Sequence, residues 1–165
     1  MADRTIVERL QPALLDRLTD NNPESNVEAR GERVIDIDRL RDIIRRDLSW
    51  LVNTNNLESQ IDAERFPQAT DSVINYGVLE VAGDFSTEER VQRIRTSMQR
   101  AIERFEPRIR EGTLDIRLRE DAHGSGPMVV FDIVAEMWAQ PLPLDLYLRS
   151  EVDVTTGELH LQRGA

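Results

Sequence analysis

Apolar residues recur every three or four positions between positions 88 and 105, and polar residues fill the positions between them. This spacing is typical of an amphipathic helix that packs one face on a core. Ser86, with Glu89 three residues later, matches a capping box and predicts the start of the helix. Pro107 lacks an amide hydrogen and disfavours helical geometry at the residue before it, so we expect the helix to stop at Glu106. The apolar face consists of Val91, Ile94, Met98, Ala101, Ile102 and Phe105.

A second apolar stripe predicts another long helix, which ends at about position 52 and which Asp36 or Asp38 caps at its start. Two shorter apolar clusters predict a helix over 12–18 and a helix over 67–75. The polar connector over 19–32 carries Asn, Pro and Gly, residues that punctuate regular structure. The stripe of the long helix consists of Leu40, Ile43, Ile44, Leu48, Leu51 and Val52.

Beyond Pro107 the apolar period changes from about 3.6 to 2, which is the spacing of half-buried strands. Leu114, Ile116 and Leu118 alternate with charged residues and predict the first strand. Further strands are predicted over 128–138, over 144–148 and over 158–162, with a turn at 123–127 and a break or edge strand at Pro141 and Pro143. Helices first and strands second predict an α+β fold, with N-terminal helices packed on a C-terminal antiparallel sheet of about four strands.

Length and composition point to one folded domain. At 165 residues, with 39% hydrophobic and 32% charged residues, the chain resembles an ordinary globular protein. We expect an N-terminal helix and flexible polar connector over 1–33, followed by a single domain over 34–165. No apolar run approaches the ~18 residues needed to span a bilayer, no signal-peptide pattern is present, and cysteine is absent. These features predict a cytoplasmic protein.

The charge balance disfavours nucleic acid as a partner. The formal net charge is -10, whereas a general nucleic-acid binder carries a basic surface. All 21 basic residues are arginine, the side chain best suited to bidentate ion pairs at interfaces. A compositional bias of the source genome explains the same observation, and both interpretations remain open.

The Glu106-Pro107-Arg108 step is the most informative place in the chain. It holds a carboxylate and a guanidinium at a fixed turn beside the negative end of a helix dipole. Arg93, Arg100 and Arg104 follow the polar face of the preceding helix and, with Arg108, predict a basic strip that orients an acidic partner. The alternative is that these arginines pair locally on a solvated face, with Glu103, Glu106 or Glu111.

Two tryptophans and two histidines are candidate site residues. Trp138 lies beside the Pro141 and Pro143 break and is a candidate interface anchor, because tryptophan is enriched at binding hot spots. Trp50 lies near an apolar stripe, so we expect it to be partly buried. His123 in a turn and His160 on a strand have no second histidine at helical spacing, and we predict no metal site and no cofactor.

Glycoside hydrolysis is the one enzymatic hypothesis with a candidate residue. It uses two carboxyl groups about 5–9.5 Å apart, one of which is protonated to act as the acid. Glu106 is the best candidate for that acid, but neighbouring arginines favour the charged form of a carboxyl group. Aromatic residues make up only 5% of the chain, which leaves few rings for a sugar platform. We therefore expect no hydrolase and assign no catalytic residue.

Several residue strings together resemble a known family. The chain is similar to the E subunits (TssE) of type VI secretion baseplates, within the wider "gene-25-like lysozyme" group of contractile phage-tail wedge proteins. The resemblance spans about 10–161, and the 137–144 and 147–151 strings favour the secretion branch over the phage-tail branch. The strings are 14–18 (LLDRL), 46–54 (RDLSWLVNT), 72–77 (SVINYG), 105–108 (FEPR) and 137–144 (MWAQPLPL).

This resemblance implies a structural role. Family members join two other wedge subunits, F and G in the secretion system, around a central hub of a baseplate docked at the inner-membrane complex. Their strand-rich part resembles the linking strands of the contractile sheath and starts sheath polymerisation. The family's Glu-Pro-Arg motif, matched by Glu106, Pro107 and Arg108, is attributed to assembly. A phage-tail wedge protein is the alternative that the resemblance leaves open, and a lysozyme-like hydrolase is the less favoured one.

Overall fold

The structure is a computed structural model that describes residues 13–20, 23–24, 35–80, 88–119, 128–138 and 144–164. Its helices are α1 (Leu14–Leu18), α2 (Ile37–Val52), α3 (Pro67–Thr70) and α4 (Glu88–Phe105), with a 3-10 turn at Val73–Asn75. Its strands are β1 (Asp115–Leu118), β2 (Met128–Met137), β3 (Leu144–Asp153) and β4 (Leu159–Arg163). Helices precede strands, and the predicted α+β fold is confirmed.

The four strands form one antiparallel sheet in the order β1-β2-β3-β4, so each strand pairs with its neighbour along the chain. Successive side chains alternate between the two faces, and Phe131 and Ile133 on β2 lie opposite Ser150 and Leu148 on β3, all four buried. Helix α2 packs beside β4, and α4 packs beside β1 and α2. The core therefore lies between one sheet face and the two long helices.

Both long helices bury the faces that the sequence predicts. The six stripe residues of α2 and five of the six on α4 are buried, and Phe105 packs against the core at its edge. The Asp36 side chain accepts a hydrogen bond from the backbone N–H of Arg39 at 2.7 Å, which is an N-cap. Helix α4 ends at Phe105, one residue before the predicted limit. Burial of an amphipathic face, rather than helix propensity, accounts for most of this stability.

The prediction of a single helix over 67–75 is wrong, because the short helix α3 and a separate 3-10 turn occupy this segment. The carbonyl of Thr70 accepts side-chain hydrogen bonds from Asn75 at 2.9 Å and from Arg104 at 2.7 Å. Ser72 then caps the 3-10 turn through the N–H of Ile74. These side-chain bonds replace the backbone bonds that would continue α3.

Some predicted features lie outside the described residues. They are the Pro12 end of the first helix, most of the connector, the Ser86 cap, the 123–127 turn with His123, and the Pro141 and Pro143 break. None of the helices within the described ranges is long and apolar enough to cross a bilayer.

Candidate partner-binding surface

The Glu106-Pro107-Arg108 turn is fastened at both sides to regular structure. The N–H of Glu106 bonds the carbonyl of Ile102 at 3.0 Å, which continues the last turn of α4. The N–H of Trp138 donates to the carbonyl of Arg108 at 2.8 Å, and Ile109 forms an isolated antiparallel bridge with Met137. The turn therefore lies directly beside the end of β2. Three predicted site residues, together with Trp138, are brought to one place.

Glu106 is buried at 4% exposure, and its partner is Arg108. The Glu106 carboxylate accepts hydrogen bonds from Arg108 Nε at 2.6 Å and from the Arg108 backbone N–H at 3.1 Å. Arg108 Nη2 bonds its second oxygen. Pro107 keeps these two residues close in a turn and is itself exposed. The ion pair is therefore internal, in agreement with the local-pairing alternative for Arg108.

Asp47 extends this pair into a longer chain of charges. Its side chain accepts a hydrogen bond from Arg108 Nη2 at 2.7 Å and from Arg46 Nη2 at 2.7 Å. Arg46 also donates to Asp16 at 2.6 Å and 3.2 Å. We call Asp16, Arg46, Asp47, Arg108 and Glu106 the charge network. It joins α1, α2 and the turn after α4, three segments that are distant in sequence.

The network shifts the ionisation of its members. Burial lowers the pKa of Arg108, but its bonds to Glu106 and Asp47 outweigh burial and raise that pKa overall. The hydrogen bond from Arg46 lowers the pKa of Asp16. Burial, together with the carboxylates of Asp47 and Glu106, raises the pKa of Tyr76. The arrangement thus favours the charged form of Arg108.

A cavity of about 330 Å³ lies next to the network. Its apolar wall comes from α2, α4 and Tyr76, whose ring is 5.2 Å from that of Phe105. Its charged wall comes from Asp47, Glu106 and Arg108. The ions are therefore partly shielded from water, a setting in which paired charges hold a fixed geometry.

Exposed apolar side chains surround the turn. Trp138 is 65% exposed, and the backbone bond to Arg108 places it beside Pro107. Trp50 is 51% exposed and does not pack on the hydrophobic core, so the prediction that the core partly buries it is wrong. It lies about 200° around the helix from the buried Leu48. The Arg46 guanidinium lies 4.9 Å from its ring centroid, which links Trp50 to the network. We call Pro107, Trp138 and Trp50 the turn surface.

Helix α1 borders the same network and exposes its leucines. Leu14, Leu15 and Leu18 are exposed, and none of the five residues of α1 is buried. Asp16 connects this helix to α2 through Arg46, and Ala13 lines the small cavity. An exposed apolar cluster of this kind commonly marks a protein-interaction site.

Our first prediction is that the ionised Asp16 carboxylate ties α1 to α2 through Arg46. A carboxylate with a lowered pKa stabilises the folded contact above its ordinary value of 3.8, and the contribution is lost as pH falls through the lowered value. Asp16→Asn should therefore release α1 at neutral pH and raise amide exchange at Arg17 and Thr19 by about fivefold, as for the loss of one ion pair. Asp145→Asn on β3 is the control. Equal exchange in the wild type and the Asp16 variant would contradict the tether.

The predicted basic strip is not continuous. Arg104 donates to the Thr70 carbonyl and forms an ion pair with Asp71, so it is bonded to the 67–75 segment and not to Glu103, Glu106 or Glu111. Arg108 lies in the small cavity, while Arg93 and Arg100 line a different groove. The predicted strip is thus divided: Arg104 and Arg108 have different partners, and Arg93 and Arg100 lie in a separate groove.

No metal-type cluster forms within the described ranges, where no three His, Asp or Glu side chains converge. His160 is exposed on β4, as predicted, with Nε2 3.9 Å from Glu158.

A surface with exposed tryptophans fixed by a buried ion pair is typical of proteins that act by binding other proteins. The chain belongs to the family described as baseplate wedge protein gp25, whose family model matches residues 38–142, more than half of its length. It is therefore a baseplate wedge protein of a contractile injection system, and the predicted gene-25-like family is confirmed. No curated protein and no solved structure matches the chain.

Proposed function

We propose that this chain is the E-type wedge subunit of a type VI secretion baseplate, which joins the wedge to the contractile sheath and starts sheath assembly. The 137–144 and 147–151 strings support the secretion branch. In this proposal the protein works in the bacterial cytoplasm, within a baseplate docked at the inner-membrane complex and near the central hub. A wedge protein of a contractile phage tail is the alternative.

The observation that carries the proposal is the exposed Pro107 and Trp138 held in place by buried ions. Glu106 and Asp47 hold Arg108 internally, so the ions set the shape of the turn and do not themselves reach the partner. The turn surface is then rigid before binding, which lowers the entropic cost of association. We assign the F and G wedge subunits to this surface.

Reconstitution tests the assignment to the secretion branch. The tagged chain is mixed with purified secretion F and G subunits, and separately with the wedge proteins of a contractile phage tail. We expect a stable complex on size exclusion only with F and G. A complex with the phage proteins alone would move the chain to the alternative branch.

The sheath contact is proposed at the outer edge of β1. The N–H of Arg119 bonds the carbonyl of Val130, so in an antiparallel ladder the backbone groups of Ile116 and Leu118 point away from β2. Such an edge accepts an added strand by backbone hydrogen bonds. Arg95 reaches the Ile116 carbonyl at 3.5 Å, the limit of a hydrogen bond, and an incoming strand would displace it.

The other edge of the sheet is occupied at Leu159. The Asn53 side-chain amide donates to the Leu159 carbonyl at 2.8 Å and accepts from the Leu159 N–H at 2.9 Å. Arg163, at the far end of β4, bonds Asp38 and Asp42 on α2. An added strand on this side would have to displace these contacts, which favours β1.

Hydrogen exchange tests which edge is used. In the free protein we expect the outward amides of Ile116 and Leu118 to exchange faster than that of Leu159, which Asn53 protects. On addition of sheath subunits, the two β1 amides should become protected by about tenfold or more, while Leu159 remains unchanged. New protection confined to β4 would place the sheath contact on the opposite edge.

We also propose that the chain is not a hydrolase. Both oxygens of Glu106, the best candidate acid, accept hydrogen bonds from Arg108, which suits a structural ion pair better than a proton donor to a sugar. Purified protein should leave the turbidity of a peptidoglycan suspension unchanged. Clearing of the suspension that disappears in Glu106→Gln would overturn this proposal.

A further inference from the structure

A second surface lies on the polar side of α4. The helix and the 56–79 segment enclose an open groove of about 810 Å³. Two contacts fix its walls: the N–H of Leu79 donates to Ser97 Oγ at 2.7 Å, and Arg104 binds the Thr70 carbonyl and Asp71. We call this space the α4 groove. It is preformed in the free domain, which reduces the cost of binding.

Two arginines of the α4 groove make no hydrogen bond or ion pair with a described residue. Arg93 and Arg100 are exposed on the α4 wall, seven positions apart, which is about 10.5 Å along a helix and on nearly the same face. Glu103 on the same helix is engaged by Gln99 at 3.0 Å. Two like charges on one wall of a preformed groove therefore lack a counterion within the described chain.

The chemistry of the groove selects the kind of ligand. Nucleic acid carries a negative charge about every 1.7 Å, so a bound strand would place several phosphates within the groove. Glu58 and Glu89 also line the groove and would repel closely spaced anions. Two carboxylates about 10 Å apart match the spacing of Arg93 and Arg100 along the helix and place no charge between them, and a protein segment can present this spacing.

We propose that the α4 groove binds an acidic segment of a partner protein, in which two carboxylates about 10 Å apart pair with Arg93 and Arg100. A polyproline II segment provides this spacing between residues i and i+3, which lie on one side at about 9 Å. The site is separate from the turn surface and does not depend on which baseplate partner binds there. At physiological salt the Debye length of about 8 Å screens the overall negative charge, so the nearby arginines dominate.

A designed peptide serves as the probe. A fluorescein-labelled twelve-residue peptide of Glu-Pro-Pro repeats is titrated with the full chain at physiological salt, and its Gln-Pro-Pro counterpart is the ligand control. We expect saturable anisotropy with the Glu peptide alone. Arg93→Gln with Arg100→Gln should weaken binding about tenfold, since each exposed ion pair is worth about threefold. Glu58→Gln should tighten it.

A second double variant separates a defined site from general attraction. Arg39→Gln with Arg117→Gln removes the same charge from exposed positions outside the groove and should change affinity by less than about twofold. Unchanged thermal unfolding of both double variants verifies that the groove remains folded. Equal weakening by both double variants, or no saturable binding of the Glu peptide up to about 1 mM, would overturn the proposal.

Discussion

Replacing Arg108 with alanine should lower the free energy of unfolding by about 3 kcal/mol and the Tm by roughly 10 °C. The reason is that Glu106, at 4% exposure, would lose the guanidinium that binds both of its oxygens, and burying a carboxyl group without a partner is costly. Asp47 would lose a bond at the same time. Denaturant unfolding followed by circular dichroism measures the change.

A matched arginine two residues away provides the control. Arg110 pairs with Glu136 at 2.9 Å, but these side chains are 49% and 40% exposed, so Arg110→Ala should cost less than about 1 kcal/mol. Adding Glu106→Ala to Arg108→Ala should recover part of the loss, because the buried carboxyl group without a partner is then gone. Equal costs for the two single variants would show that the buried pair contributes little to stability.

Trp138→Ala should weaken binding of the wedge partners by about 30-fold or more, the loss of about 2 kcal/mol expected of an interface hot spot. The side chain is 65% exposed in the free domain, so its removal should leave the Tm nearly unchanged. Isothermal calorimetry against the purified partner complex measures the affinity. This prediction concerns binding alone, whereas the Arg108 prediction concerns stability.

The matched control for Trp138 is an exposed aromatic residue elsewhere on the domain. Phe66 precedes α3, is 52% exposed and has no role in the turn surface, so Phe66→Ala should leave the affinity within about twofold. A loss of affinity in Trp138→Ala that is matched by a fall in Tm would mean that the tryptophan supports folding. A full-strength complex with Trp138→Ala would remove it from the interface.

The long helices and the strands were predictable because burial follows their repeat. The face of α2 matches at all six positions and that of α4 at five of six, since a period near 3.6 leaves few alternative ways to bury six apolar residues. The antiparallel sheet was predictable because short connections between successive strands favour antiparallel neighbours. Local pattern and tertiary packing agree in these elements.

The errors arose where local pattern and tertiary contacts disagree. Trp50 is close to buried residues in sequence, but helical geometry turns it to the opposite side. The helix predicted over 67–75 is divided because Arg104, more than thirty positions away, takes the Thr70 carbonyl. The spacing of apolar residues within 67–75 cannot predict a contact with a residue so far away in sequence.

The sequence predicted the turn of the candidate site but not the partners of its two ions. Proline between Glu106 and Arg108 predicts a fixed turn, yet the internal and external pairings of the two ions were equally compatible with it. The deciding residue is Asp47, which lies 61 positions from Arg108 and bonds it at 2.7 Å. Its position in the 46–54 string was the available signal, but the string alone does not show which cation it faces.

The amide of Asn53 has a consequence for the direction in which an assembly grows. At Leu159 the β4 edge carries an amide that copies the hydrogen bonds of a neighbouring strand, whereas within the described residues the outward groups of β1 meet only the long contact from Arg95. In the proposed role, a strand added at β1 has only the Arg95 contact to displace, whereas a strand added at β4 has to displace the Asn53 amide. The same Asn53 amide disfavours pairing between copies of the protein through the β4 edge, a common route to unwanted fibres. In the proposed role, this difference between the two edges favours growth of the sheath in a single direction.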